Sequence, residues 1–203
     1  MLVTPGSPGA SPGCDADVSR QKSTLDFRYG QLTPCGARDG TYHAGVAKHP
    51  VTMAIRALRA GGVAFEPHPY PWEAHGGTRA SSEALGVDEH AVVKTLIFED
   101  DERRPLCVLM HGDREVSAKQ LARLIGAKTV GPCTPQVADR HSGYQVGGTS
   151  PFGLRHPMPV YMERSILQLP RIYINGGARG FLVAIAPGDA QRLLAPTLVD
   201  VAV

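Results

Sequence analysis

The 203-residue sequence lacks most of the features that place a protein on sight. Charge of one sign is missing. Lys and Arg number 21 against 19 Asp and Glu, and a net charge of +2 is too small for a non-specific polyanion binder. Cysteine is scarce, and Cys14, Cys35, Cys107 and Cys133 show no CxxC or other ligand spacing. That usage fits a reduced, cytoplasmic chain. No apolar run approaches a membrane span, and the first residues carry no secretory apolar core. GxxxxGK[ST], HExxH, GxSxG and a GxGxxG that opens a helix are all absent. The eight histidines are scattered, none beside a carboxylate or cysteine at ligand spacing. No metal and no cofactor is expected, and a Ser-His-Asp triad has no support from sequence neighbours.

What is present is unevenly spread. Residues 1–50, with "TPGSPGASPGC" and "RDGTYHAG", are rich in turn formers and have no sustained apolar period. Such a segment cannot offset its ordering entropy by burial, so it is expected to be a disordered extension. Hydrophobic content of 42% for the whole chain lets residues 51–203 bury a core. From 51 to 113 there are six Lys/Arg against ten Asp/Glu, and from 114 to 203 ten against five. The basic half surrounds two glycine-rich stretches, with Arg140, His141, Arg155, His156 and Arg179 close by. This suits either brief contact with a phosphate backbone or a solvated basic face.

Patterned sequence begins near Thr52. "TMAIRALRAGG" reads as a short helix ended by Gly61, and "VAFEPHPY" as an extended edge segment broken by Pro67 and Pro69. "TRASSEALG" predicts a helix with Thr78 as N-cap and Gly86 beyond its end. "VVKTLIF" and "LCVLMH" form a predicted hairpin around "EDDERRP". "SAKQLARLIGA" predicts a helix capped by Ser117, with Leu121, Leu124 and Ile125 on one face. Thr134-Pro135 opens another. "MPVYME", "RIYIN" and "FLVAIA" are predicted strands, a helix is expected from about Asp189 to Leu194, and "TLVDVAV" follows. Strands and helices without strict alternation predict an α+β domain with a mixed sheet.

Three features could carry chemistry. Lys94 falls by period 2 on the strand face of Val92, Leu96 and Phe98. It is either an edge lysine that blocks strand pairing or a donor pointing into a lined cavity. "GGTSP" at 147–151 and "NGGARG" at 175–180 are either plain turns or backbone nests for an anion or a developing oxyanion.

Together, "VVKTLIF", "VSAKQLARLIGAKTV", "RHSGYQVGGTSPFG" and "IYINGGARG" resemble the YbaK/EbsC family over about residues 52–200. That family includes the editing domain of bacterial prolyl-tRNA synthetase. The resemblance implies one compact α+β domain, with a mixed, barrel-like sheet flanked by short helices, over residues 51–203. It implies aminoacyl-tRNA deacylase activity in translation quality control, cleaving the ester of mischarged tRNA, with cysteine on proline tRNA as leading substrate. The implied catalytic residues are Lys94, Gly147 and Gly148. The implied substrate-binding residues are Tyr70, Thr95, Ser150, Pro151, Asn175, Gly176, Gly177 and Arg179. Catalysis is expected to be metal-free and substrate-assisted, with Ser150 a positioning hydroxyl. The implied partners are the acceptor end of mischarged tRNA and, as a candidate, prolyl-tRNA synthetase; neither DNA nor membrane is expected. The sequence departs from the family in three places, the second and third of them in the amino-acid pocket. Asn175 stands where serine is frequent, Leu182 where YbaK carries an aspartate, and "HGGTRASS" lacks an aromatic near Gly77. They leave alanine, serine or threonine as alternative substrates, and a non-catalytic tRNA- or protein-binding module as an alternative role.

Overall fold

A computed structural model describes residues 49–203; the predicted extension lies almost wholly outside them. Thr52 opens α1 (Met53–Ala60): its hydroxyl accepts from the Ile55 N–H and donates to the Gly176 carbonyl. One side chain thus caps a helix and ties it to the sheet. Then come β1 (Glu66–Pro69), α2 (Gly77–Leu85), β2 (Val92–Asp100), β3 (Pro105–His111), α3 (Ala118–Ile125), β4 (Val130–Pro132) and α4 (Pro135–Ser142). The chain continues with β5 (Val160–Glu163), β6 (Ile172–Ala178), β7 (Phe181–Ile185), α5 (Pro187–Leu194) and β8 (Thr197–Val199). Short 3-10 turns at Glu89–Ala91 and Arg164–Gln168 complete it.

The strands form one mixed sheet in the order β1-β7-β6-β2-β3-β5-β8, with β4 added to the far end of β2. Pairs β2/β6, β3/β5 and β5/β8 are parallel and the others antiparallel. β1 and β8 end the order unpaired to each other, so the expected barrel-like curl stops short of closure.

The apolar run of β3 has a direct cause. Cys107 and Leu109 enter the main core with α1, Phe152, Met162, Ile174 and Val183, while Leu106, Val108 and Met110 enter a second core under α3. A strand buried on both faces needs hydrophobic residues at every position.

Three local expectations need correction. Thr78 is inside the first turn of α2, whose N-cap is Gly76. Its hydroxyl donates instead to Glu89 Oε1 at 2.8 Å and the Gly112 carbonyl at 3.1 Å. Leu124 is 50% exposed; Leu121, Ala122 and Ile125 make the buried face of α3. "NGGARG" is no separate loop, because β6 runs through it to Ala178 with a bulge between Asn175 and Ala178.

Candidate active site

β2 is an interior strand whose second edge splits. β6 pairs with it only at Val92 and Val93, and β4 only at Phe98, Glu99 and Asp100. Between these contacts Lys94, Thr95 and Leu96 have no strand neighbour on that side. A cleft of about 620 Å³ opens at this split, closed over by the segment around Tyr70 and Trp72, the start of α2, and the Val146–Thr149 loop. Lys94 is therefore not on an outer strand of the sheet; the short unpaired edge it occupies borders the cleft.

Register then explains the cleft wall. Val93, Ile174 and Val183 all point into the main core, so their neighbours Lys94, Asn175 and Leu182 take the other face. Val93 pairs with Ile174, and Asn175 with Leu182, which puts these three side chains in one row across β2, β6 and β7. All three line the cleft. Lys94 is half-buried and, among the described residues, forms no ion pair. Thr95 Oγ1, also at the wall, is buried without a hydrogen-bond partner among the described residues. An unsatisfied buried hydroxyl costs about 1–3 kcal/mol, which a ligand group could recover.

The glycine-rich stretch 143–153 is anchored by two aromatics. Tyr144 is buried with its hydroxyl on the Phe152 carbonyl, and burial pushes that phenol up to about 12. Asp139 Oδ1 accepts from the Val146 N–H at 2.8 Å. Gly147 has φ +90°, a left-handed conformation that favours glycine, and faces the cleft. Gly148 lies beneath it, where a Cβ would come within 2.8 Å of the Arg179 backbone nitrogen. The two glycine stretches therefore pack backbone to backbone. Asn175 braces them: Nδ2 donates to the Gly147 carbonyl at 3.2 Å and Oδ1 accepts from the Gly177 N–H at 2.8 Å.

The sequence-derived residues thus divide into two groups. Tyr70, Lys94, Thr95, Gly147, Asn175 and Arg179 meet on the cleft surface. Gly148, Ser150, Pro151, Gly176 and Gly177 stand behind it. The Gly148 N–H is already given to the Gln145 carbonyl, and the Gly177 N–H to Asn175. Ser150 is 0% exposed and its hydroxyl accepts from the Phe152 N–H at 3.4 Å. These residues build the wall without presenting groups to it.

Sequence reasoning missed Trp72, His75, Thr149 and Cys133, which also line the cleft. The signals were thin: the sole tryptophan sits in the proline-broken "HPYPWEAHGG", and His75 has a positive φ of 65° that nothing in its neighbours announces. Burial, with Glu99 adding to it, pushes the Cys133 thiol up to about 11, and burial raises the Tyr70 phenol against the pull of Ser81 and the Gly180 backbone. Among the described residues no cluster of three His, Cys, Asp or Glu is placed to hold a metal, and no helix is long and apolar enough to cross a membrane.

The family profile of the aminoacyl-tRNA editing domain matches residues 75–193, a span that holds the split of β2 and both glycine stretches. The chain belongs to this family. Within it the editing domain is similar to an Enterococcus faecalis protein named "Putative Cys-tRNA(Pro)/Cys-tRNA(Cys) deacylase EbsC". Identity is 28% over 137 residues, covering 67% of this chain and 84% of the relative. Its YbaK/EbsC character agrees with the motifs read from the sequence. It is also similar to a proline–tRNA ligase of Thermodesulfovibrio yellowstonii, 34% identical over 54% of this chain and only 19% of the ligase. Two solved structures share the fold. One is of "hypothetical protein APE2540" (TM-score 0.69, 22% identity, 74% of this chain and 99% of that one). The other is of "a putative trans-editing enzyme for prolyl tRNA synthetase" (TM-score 0.65, 23% identity, 73% and 96%).

Proposed function

We propose that this editing domain is an aminoacyl-tRNA deacylase that hydrolyses the ester of mischarged tRNA, acting in trans on the acceptor end. The observation that carries the reading is the half-buried Lys94 at the split of β2, with the Thr95 hydroxyl and the cleft-facing Gly147; among the described residues Lys94 has no ion pair and Thr95 Oγ1 no hydrogen-bond partner. Aminoacyl esters are already activated, so their hydrolysis needs positioning and oxyanion stabilisation more than a protein nucleophile. Lys94 Nζ and the Gly147 N–H stabilise the carbonyl oxygen as negative charge develops there. The attacker is water held by a tRNA hydroxyl, or the substrate's own thiol where the amino acid is cysteine. The ester C–O bond breaks and the ribose oxygen takes the proton. Asn175 acts as a brace in this scheme, and its second Nδ2 hydrogen, not engaged by any described residue, donates to the substrate.

Leu182 makes the wall beside Asn175 apolar, which favours a small uncharged side chain. Cysteine on proline tRNA is the leading substrate, in keeping with the names of the relatives, and alanine, serine or threonine are the alternatives. The resemblance to proline–tRNA ligases suggests prolyl-tRNA synthetase as a partner, and tRNA as substrate implies a cytoplasmic site of action.

The test is a deacylation panel of mischarged tRNAs with the wild type and Lys94→Ala. Removing one preorganised oxyanion donor is expected to lower kcat by about 10²–10³-fold. Wild-type turnover by Lys94→Ala would sink the mechanism.

A further inference from the structure

The rim of the cleft carries a second arrangement that the ester chemistry does not use. Trp72 is the sole tryptophan of the chain and is 41% exposed at the cleft mouth. The Arg179 guanidinium carbon lies 4.6 Å from the centroid of its ring. Neither group is loosely held. Arg179 Nε donates to the Val146 carbonyl at 3.0 Å. The Tyr70 N–H donates to the Gly180 carbonyl at 2.8 Å, which fixes the segment leading to Trp72 against the β6–β7 turn. Gly147 lies directly beneath: a Cβ there would stand 3.1 Å from Trp72 Nε1 and 3.6 Å from Arg179 Nε.

We propose that Trp72 and Arg179 form a stacking platform for the base of the 3′-terminal nucleotide of an RNA. The proposal rests on the deacylase reading and extends it to the part of the substrate that does not react. Proteins that recognise unpaired RNA ends do so by stacking the base on an aromatic or guanidinium plane. A planar cation against an indole presents both kinds of plane, and its charge suits the adjoining phosphate. Position favours a base over the amino-acid side chain as occupant. The platform is at the exposed lip, whereas the apolar wall at Leu182 lies on the inner row with Lys94 and Asn175. A cleft of about 620 Å³ is within the range that buries whole small ligands, so a terminal nucleoside and its ester fit together.

Because Trp72 is the only tryptophan, its fluorescence reports the contact directly. Titration of the wild-type chain with the trinucleotide CCA is expected to quench the emission, and the same trinucleotide with an abasic 3′-terminal ribose to leave it unchanged. In deacylation kinetics Trp72→Ala is expected to raise KM by about fivefold to about 100-fold with kcat retained, and Trp72→Phe to restore most of the loss. A merely structural role would lower kcat as well and would not distinguish CCA from its 3′-abasic form. Emission unchanged by millimolar CCA, or quenched equally by its 3′-abasic form, overturns the platform. If Lys94→Ala abolishes turnover while Trp72→Ala leaves KM unchanged, the platform falls and the deacylase reading stands. If CCA quenches Trp72 but no aminoacyl-tRNA is hydrolysed, the reading of the reaction falls and the platform stands.

Discussion

His111, at the end of β3, is 1% exposed and fully engaged. Its Nδ1 lies 2.7 Å from the His90 carbonyl and its Nε2 2.8 Å from Ser165 Oγ. A carbonyl only accepts, so Nδ1 carries the proton and Ser165 donates to Nε2. His90 stacks on this ring at a centroid distance of 3.7 Å and contacts Asp113 at 2.9 Å. Burial lowers the His111 pKa, and the positive potential of His90 adds to it, against the pull of the His90 carbonyl, Asp113 and Glu163. With the folded value depressed, the unfolded chain binds more protons just below the ordinary histidine value of about 6.5. The stability contributed by neutral His111 is therefore present above that pH and is lost as pH falls below it. Asp113 adds to the same trend at lower pH. Burial would raise its carboxyl, but the hydrogen bond and charge of His90 outweigh this and hold it below the usual range. Melting temperatures from pH 8 to pH 5 should fall on the acid side and be flatter in His111→Gln; parallel profiles would refute the assignment. Single residues were legible to different depths. Lys94 declared itself because a lysine in a β-branched run is anomalous. Thr78 did not, because its cap-like sequence position is overridden by tertiary acceptors on Glu89 and Gly112.

At the scale of elements, one carboxylate adds to the backbone pairing that holds residues 201–203 against residues 115–117. Glu163, at the end of β5 and 5% exposed, accepts from the N–H groups of Val201 and Ala202 at 2.9 and 3.0 Å. Val201 belongs to the core under α3, and Ala202 bridges to Val116 just before that helix. Glu163→Ala leaves two backbone donors without their acceptor and is expected to cost about 2–3 kcal/mol. The loss should appear as a lower urea midpoint at unchanged slope; Glu163→Gln, which keeps an acceptor oxygen, should lose less. Most elements were legible because their end signals and periods agree, as with Gly61 and Pro135. β4 was not: three residues, Val130–Pro132, are too few to show a period, and they become a strand only by pairing with the end of β2. The second glycine stretch was misread for a related reason, since glycines that look like a turn continue β6 through a bulge.

For the whole molecule, the decisive quantity is the weak field of residues 51–203, with sixteen Lys/Arg against fifteen Asp/Glu. A body so balanced can neutralise only a few phosphates. Binding of uncharged tRNA should be weak at physiological salt, with a log–log salt slope no steeper than about −3. A tight, steeply salt-dependent complex would show that contact spreads far beyond the acceptor end. Specificity must then come from the cleft, consistent with the crowding of Lys94, Asn175, Gly147 and Trp72 around one opening.

Sequence by itself determined the family, the α+β class, the order of most elements and the lysine on an otherwise apolar strand face. Each is a local property, written in period, cap residues or a motif. Only the tertiary structure decided that β2 is interior and split, that Lys94, Asn175 and Leu182 form one row, and that five of the eight candidate residues in the glycine stretches support the wall from behind. Strand register joins β2 to β6 about eighty positions away, and backbone-to-backbone packing joins the two glycine stretches about thirty positions apart. No window of sequence contains such a pair, and the cleft exists only where those long-range pairings leave β2 without a neighbour.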